Sequence, residues 1–309
     1  MDLRKLEYII AIADECNITK AADKVFITRP ALNHFLLNLE DELGVKLFER
    51  SSRKLIPTYA GEIYISAARK ILNIKQQTYK LVEDITDNRI GCIRLGVTHG
   101  IGNVLLANVL PKFHQHYPKF TFDLKEANIR NLEAMVEDGT IDFAVVGNGS
   151  VPTNLEHITT IACEVVLALP KHHPLGEKAT PLGEPHNNLD LNELKEEPFI
   201  LMGKDTNIRA IADKHFELAN FNPKILIECR MSTLAYQFVK AGLGPSILME
   251  FQINQVDGIH VFSLNPKETW FQSIAFRKDT IFSKADKYFI SLIVEFFSKV
   301  SPKNIFNPK

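Results

Sequence analysis

Residues 21–50 read AADKVFITRPALNHFLLNLEDELGVKLFER, and this stretch decides the N-terminal fold. Ala21, Ala22 and Val25 fall on one side of a short helix. A tight connection through Phe26 and Ile27 follows. Thr28 then offers a capping oxygen to a second helix, and Pro30 fits its first turn, where a missing N–H costs nothing. Leu32, Phe35 or Leu36, Leu39 and Leu43 make one apolar stripe, and Gly44 stops the helix. Two short helices joined by a turn of three or four residues form a helix-turn-helix. Upstream, Leu6, Ile9, Ile10 and Ala13 mark an earlier helix, with Asn17 and Thr19 as candidate caps. Downstream, residues 45–58 read as two extended pieces around Ser51-Ser52-Arg53, the pattern of a wing.

Three parts are therefore expected: a winged helix-turn-helix over 1–58, a long helix over 59–89, and an α/β domain over 90–309. On the long helix Ala60, Tyr64, Ala67, Ile71, Ile74, Thr78, Leu81 and Ile85 step by three or four. One apolar stripe of that length needs a partner, and a second copy of the chain is the simplest. Beyond it strands and helices alternate. CIRLGVT, FTFDLKEA, IDFAVVG, PFILM, KILIECR and PSILME read as strands, and the helix after the first is expected to break or kink near Pro111. Such alternation argues for mostly parallel sheets covered by helices. Residues 176–197 are expected to be a surface loop with some ordered ends.

The chain has 309 residues, with 45% apolar and 24% charged, enough for two or three cores. Its net charge is −1, and residues 1–58 hold nine Lys and Arg against nine Asp and Glu. Any affinity for a polyanion must therefore come from local placement of charge, with Glu40, Asp41 and Glu42 expected at the far end of their helix. Cys16, Cys92, Cys163 and Cys229 form no CxxC pair, which argues for buried thiols in a reducing compartment. The N-terminus has acids within its apolar stretch and does not read as a signal peptide. No apolar run approaches the roughly 20 residues that span a bilayer. A cytoplasmic protein with no membrane partner is expected.

The 21–50 segment closely resembles the N-terminal signature of LysR-type transcription regulators. The resemblance is carried by Ala21-Ala22, Pro30-Ala31-Leu32, Leu39-Glu40, Leu43-Gly44 and Leu47-Phe48-Glu49-Arg50, with Thr58 and Gly61 following. Farther on it continues through Ile93-Arg94-Leu95-Gly96, Asp142-Phe143-Ala144 and Gly242-Leu243-Gly244. It implies a winged helix-turn-helix, a dimerising linker helix and a two-lobed effector domain similar to periplasmic binding proteins. Lobe I would span about 90–162 and 268–309, and lobe II about 163–267. Family members often assemble as tetramers, so a homodimer or homotetramer is expected. The sequence departs from the family where Thr28-Arg29 replaces a frequent Ser-Gln, and where Phe35, Leu37 and His34 replace polar or basic residues.

For double-stranded DNA, the outward positions of the recognition helix are Thr28, Arg29, Pro30, Asn33, His34 and Asn38. Arg29 could fork onto guanine, and Asn33 could pair with adenine or a phosphate. Arg50, Arg53 and Lys54 would neutralise phosphates from the wing. In open α/β sheets, ligands sit beyond the carboxyl ends of strands, near helix N-termini. That rule selects Thr98, His99 and Gly100, then Asn128, then Gly203 and Thr206, then Ser232, and the family places effector contacts in the same loops. A small carboxylate or amino acid is the expected effector. Catalysis is not expected. His114 and His116 would lie about 200° apart on a helix, a poor metal clamp. Gly100-x-Gly102 is too short for a dinucleotide fingerprint. No cofactor or metal is expected.

Overall fold

The computed structural model describes residues 3–51, 54–86, 90–98, 100–147, 155–181, 184–254, 258–278 and 280–300. They divide into two units, one of residues 1–88 with 137–141, the other of 89–136 with 142–309.

In the first unit α1 (Leu3–Glu15), α2 (Ile18–Lys24) and α3 (Arg29–Leu43) precede the hairpin β1 (Phe48–Ser51) and β2 (Lys54–Pro57), and α4 (Tyr59–Thr86) follows. The starts and stops obey local chemistry. The Asn17 side chain accepts from the N–H groups of Thr19 and Lys20, and Thr28 Oγ1 accepts from Ala31 N–H at 3.4 Å. Gly44 closes α3 with φ 68°, a conformation that a Cβ penalises. Ala21 and Ala22 are buried against Ile9, Ile12, Leu32, Leu36, Leu47 and Ile65, so α2 can lie close to its neighbours.

Thr58 and Gly61 have a clear physical role. Thr58 donates its N–H to Leu47 O and its hydroxyl to Lys46 O, and its Oγ1 accepts from Gly61 N–H to cap α4. A Cβ on Gly61 would lie 2.0 Å from the Leu47 carbonyl oxygen, so no larger residue fits there.

One expectation about α3 changes. Leu43 is exposed, and the inward positions are Leu32, Leu36, Leu39 and Glu40. Glu40 lies at the far end of the helix as expected, and is only 5% exposed. Its Oε1 accepts from the N–H groups of Leu47 and Phe48 at 2.9 and 3.2 Å, and Lys46 Nζ sits 2.8 Å from Oε2. These N–H groups enter the wing before its ladder begins, and a carboxylate satisfies them where water cannot. On α4, Ala60 and Tyr64 pack on the head core, while Ala67 and Ile74 face solvent with Tyr59, Ile63, Tyr79 and Val82. The side chain of Ile85 lies outside the described residues.

The second unit is one eight-stranded sheet in the order β4-β3-β5-β10-β6-β9-β7-β8. Its strands are β3 (Ile90–Val97), β4 (Lys119–Glu126), β5 (Phe143–Gly147), β6 (Leu155–Leu169), β7 (Pro198–Met202), β8 (Lys224–Cys229), β9 (Ser246–Met249) and β10 (His260–Arg277). Pairings β3–β4, β3–β5, β7–β8 and β7–β9 are parallel. The sheet is nevertheless mixed, because β6 and β10 run antiparallel from Leu155↔Arg277 to His260↔Leu169. These two strands pass through both halves, a crossing that helix–strand alternation did not reveal. One core gathers around Phe113, Phe143, Ile161, Ile274 and Phe289, the other around Cys163, Leu167, Phe199, Leu248 and Trp270.

Helices α5 (Ile101–His116), α6 (Ile129–Glu137) and α9 (Lys284–Val300) belong with the first half, and α7 (Asn207–Leu218) and α8 (Ser232–Lys240) with the second. Pro111 does not break α5. Pro111 and Ala107, whose carbonyl it leaves without a helical donor, are both exposed, so the lost bond lies on the solvent side of the helix. The stretch expected to be a loop begins and ends in two 3-10 turns, Pro174–Lys178 and Leu191–Leu194, and buries Leu189, Leu191 and Leu194.

Candidate functional site

The leading turn of α3 is open to solvent. Thr28, Arg29, Pro30, His34 and Asn38 are exposed, and Asn33 is half-buried. Asn38 Nδ2 and His34 Nδ1 are 3.1 Å apart, one turn of helix from each other. On the wing, Arg50 and Lys54 are both exposed, near the hairpin end where Ser51 pairs with Lys54. Arg53 lies outside the described residues.

The charge balance of this unit depends on which charges are already matched. Lys24 pairs with Asp14 and Glu15, Lys46 with Glu40, and Arg69 with Asp14. Hydrogen bonding to Glu15 raises the Lys24 pKa, and bonding to Glu40 raises that of Lys46. Arg29, Arg50 and Lys54 have no ion pair among the described residues. Asp14, Glu15 and Glu40 are thus matched inside the unit while the cations of α3 and the wing remain available, so zero net charge is compatible with a basic edge. Sequence reading passed over Phe26 as more than a connector. It takes φ 56° and is 94% exposed, two residues before the α3 cap.

The second unit holds a cavity of about 600 Å³, a size that suits a metabolite. Thr98, Asn128, Thr206 and Ser232 line it together. Gly100 and Gly203 stand behind this lining: a Cβ on Gly100 would lie 3.9 Å from Ser232, and Gly203 O accepts from the Thr206 hydroxyl. His99 lies outside the described residues. Two of the lining groups already act as caps. Asn128 Oδ1 accepts from Asn131 N–H, and Thr206 Oγ1 accepts from Arg209 N–H. The lining also includes Arg130, Arg230, Gln252, Trp270 and Gln272, which strand-end reasoning did not select. Arg230 was within reach of that reasoning, directly after β8. Trp270 and Gln272 lie inside β10, and only the antiparallel crossing brings them to the cavity.

The buried thiols are poorly suited to redox chemistry. Burial pushes Cys163 up to about 12 and raises Cys229 as well, and a reactive cysteine needs the opposite shift. Among the described residues no three His, Cys, Asp or Glu side chains group as metal ligands, and no helix is long and apolar enough to cross a membrane.

The chain matches two family models, a bacterial regulatory helix-turn-helix protein of the lysR family over residues 3–62 and a LysR substrate binding domain over 87–293. It is 30% identical over 252 residues to the uncharacterized HTH-type transcriptional regulator YybE of Bacillus subtilis, covering 82% of this chain and 84% of that one. Full-length OxyR from Pseudomonas aeruginosa, with one engineered substitution, superposes with a TM-score of 0.71 at 22% identity, covering 98% of this chain and 96% of that one. CbnR, solved as a complex with its target DNA, gives a TM-score of 0.55 at 21% identity, with 96% and 99% covered. The open recognition helix, the wing and the cavity domain thus have a common explanation: this chain belongs to the LysR family of DNA-binding transcription regulators, with an effector-binding domain after the DNA-binding head and no enzymatic role.

Proposed function

We propose that the chain acts as a homodimer or homotetramer that reads double-stranded DNA with Thr28, Arg29, Pro30, Asn33, His34 and Asn38, and grips phosphates with Arg50, Arg53 and Lys54. The working division is a head over 1–58, a linker helix over 59–89 and an effector domain over 90–309, in a cytoplasmic protein. One observation carries this reading: Arg29 on α3 and Arg50 and Lys54 on the wing are exposed and unmatched among the described residues, while Lys24 and Lys46 are matched. Self-association is supported by the exposed apolar side chains of α4, Ile63, Ile74 and Val82 among them. A dimer would present two heads to a two-fold operator and gain avidity.

A small molecule held near Thr98, His99, Gly100, Asn128, Gly203, Thr206 and Ser232 would favour one arrangement of the two lobes and so bias DNA binding. Genomic fragments bound by the purified protein provide the operator, and a gel shift on that fragment tests the reading. Arg29→Ala is expected to lose specific retention. Retention at wild-type salt and concentration would remove the DNA-reading assignments.

A further inference from the structure

We propose that Gln272 is a specificity-determining donor of the cavity, and that the ligand it selects is a small organic monocarboxylate bearing a second oxygen acceptor. This rests on the cavity being the effector site. The arrangement begins with an absent side chain. A Cβ on Gly147 would lie 2.0 Å from Cζ2 and 2.7 Å from Nε1 of Trp270, so glycine is what lets the indole lie across β5. Trp270 and Gln272 are two residues apart on β10 and share a face. Trp270 Nε1 donates to Gln272 Oε1 at 3.3 Å.

An indole N–H can only donate, so it fixes which end of the amide is the oxygen. The amide nitrogen is then committed as a donor. Gln272 is 3% exposed, lines the cavity, and its Nε2 has no hydrogen-bond partner among the described residues. A buried donor without an acceptor is costly, and a ligand oxygen would satisfy it. A ligand offering only donors there would leave the cost in place.

The charge follows from two helix ends. The N-caps of α5 (Gly100) and α8 (Met231) supply no side-chain acceptor, and Gly100 stands against Met231 and Ser232. These helices have 16 and 9 residues, and their positive ends meet beside lining residues Ile101 and Ser232. Glu126 and Asp205 line the cavity with Arg130 and Arg230, so the lining side chains add no net positive charge, and a dianion such as a phosphate monoester is disfavoured against a monoanion.

The test is isothermal titration of the full-length protein with quinate, mandelate and levulinate, each against its primary amide, and with glycerol phosphate. At least one acid should bind, with its amide and the phosphate at least tenfold weaker. Gln272→Leu should weaken that acid at least tenfold, and Trp270→Phe, which frees the amide to flip, about three- to tenfold. Cooperative melting is the folding control for both. Binding of no acid, equal binding of acid and amide, or indifference to both substitutions overturns the inference. Asn131→Trp, at an exposed lining position, separates this from failure of the broader reading. If it leaves acid binding intact, the cavity is not the effector site. If it abolishes binding while both other variants bind normally, only the role of Gln272 falls.

Discussion

In the first unit, every side chain proposed to meet DNA comes from residues 28–54, whereas the cavity of the second unit draws its lining from Thr98 to Gln272. The head presents a contiguous segment on one rigid helix and its hairpin. Its presentation is set by caps, by a proline and by the pairing of nearby charges. The cavity depends on non-local strand order: Gly147 on β5 makes room for Trp270 on β10, which orients Gln272 on the same strand. A local surface can be changed one side chain at a time. A cavity built on strand crossings transmits a change at one residue to the groups it supports.

The largest expected effect is in the head. Replacing both Arg29 and Arg50 by Ala removes two exposed cations, each worth about 1–3 kcal/mol if it meets a base edge or phosphate. Specific affinity should fall by roughly 30- to 10⁴-fold. The salt dependence should also flatten, by about 0.9 in the log–log slope for each phosphate no longer neutralised. Fluorescence anisotropy across a salt series measures both. An unchanged slope would mean that the basic edge of α3 and the wing is merely hydrated.

The next contrast uses thiols from the two units. Cys16 in the head is partly exposed, while Cys163 in β6 is buried, its pKa pushed up to about 12 by desolvation. At pH 8 an ordinary thiol is roughly a quarter ionised, and one at about 12 roughly 10⁻⁴ ionised. Iodoacetamide should therefore modify Cys163 about 10³-fold more slowly than an ordinary thiol in the native protein. Peptide mass spectrometry should find Cys16 labelled before Cys163. The linkage has a definite sign. The unfolded thiol ionises from about pH 9, so at higher pH the unfolded state binds fewer protons and stability falls as pH rises from 9 toward 12. Cys163→Ala should be less sensitive over that window. Rapid native labelling of Cys163 would contradict the packing described for this half of the sheet.

The same contrast explains what could be read in the sequence. The head was legible nearly residue by residue, because Asn17, Thr28, Pro30 and Gly44 act on their immediate neighbours. Most strands and helices of the second unit were legible too, since Phe143–Gly147 declares itself as a short continuous apolar run and Lys284–Val300 by helical period, but β6 and β10, the two longest strands, were not read as strands. Leu43 departs from the expected stripe, and the burial of Glu40 follows from its bonds to the backbone of Leu47 and Phe48, a contact that no helical period encodes. The antiparallel β6–β10 crossing was not legible for a similar reason. Cavity residues near strand ends could be named, but Trp270 and Gln272 could not, since their position depends on which strands are neighbours.

Glu40→Ala tests the long-range bond directly. It would leave two backbone N–H groups without their acceptor, and an unsatisfied buried donor costs about 1–3 kcal/mol. Destabilisation of the first unit by about 2–4 kcal/mol is expected in chemical denaturation. Glu40→Gln keeps an accepting oxygen and should cost less. A loss under about 0.5 kcal/mol, the range of ordinary surface substitutions, would mean that these bonds contribute little to the fold.

The smallest effect concerns Phe26. A residue with a side chain at φ 56° is strained, and a left-handed conformation costs about 1–2 kcal/mol. Glycine removes that strain but loses about 0.5–1 kcal/mol more backbone entropy on folding. Phe26→Gly should therefore stabilise the first unit by up to about 1 kcal/mol. The ring is almost wholly in solvent and contributes little packing to offset this. A strained, exposed aromatic two residues before the α3 cap is the kind of outlier that function retains. The variant should accordingly be more stable yet hold operator DNA a few-fold less tightly, within about 1 kcal/mol. Stability and affinity moving in opposite directions would identify the ring as part of the DNA-facing edge. Higher stability with unchanged affinity would reduce Phe26 to a turn residue, and the DNA surface would then begin at Thr28.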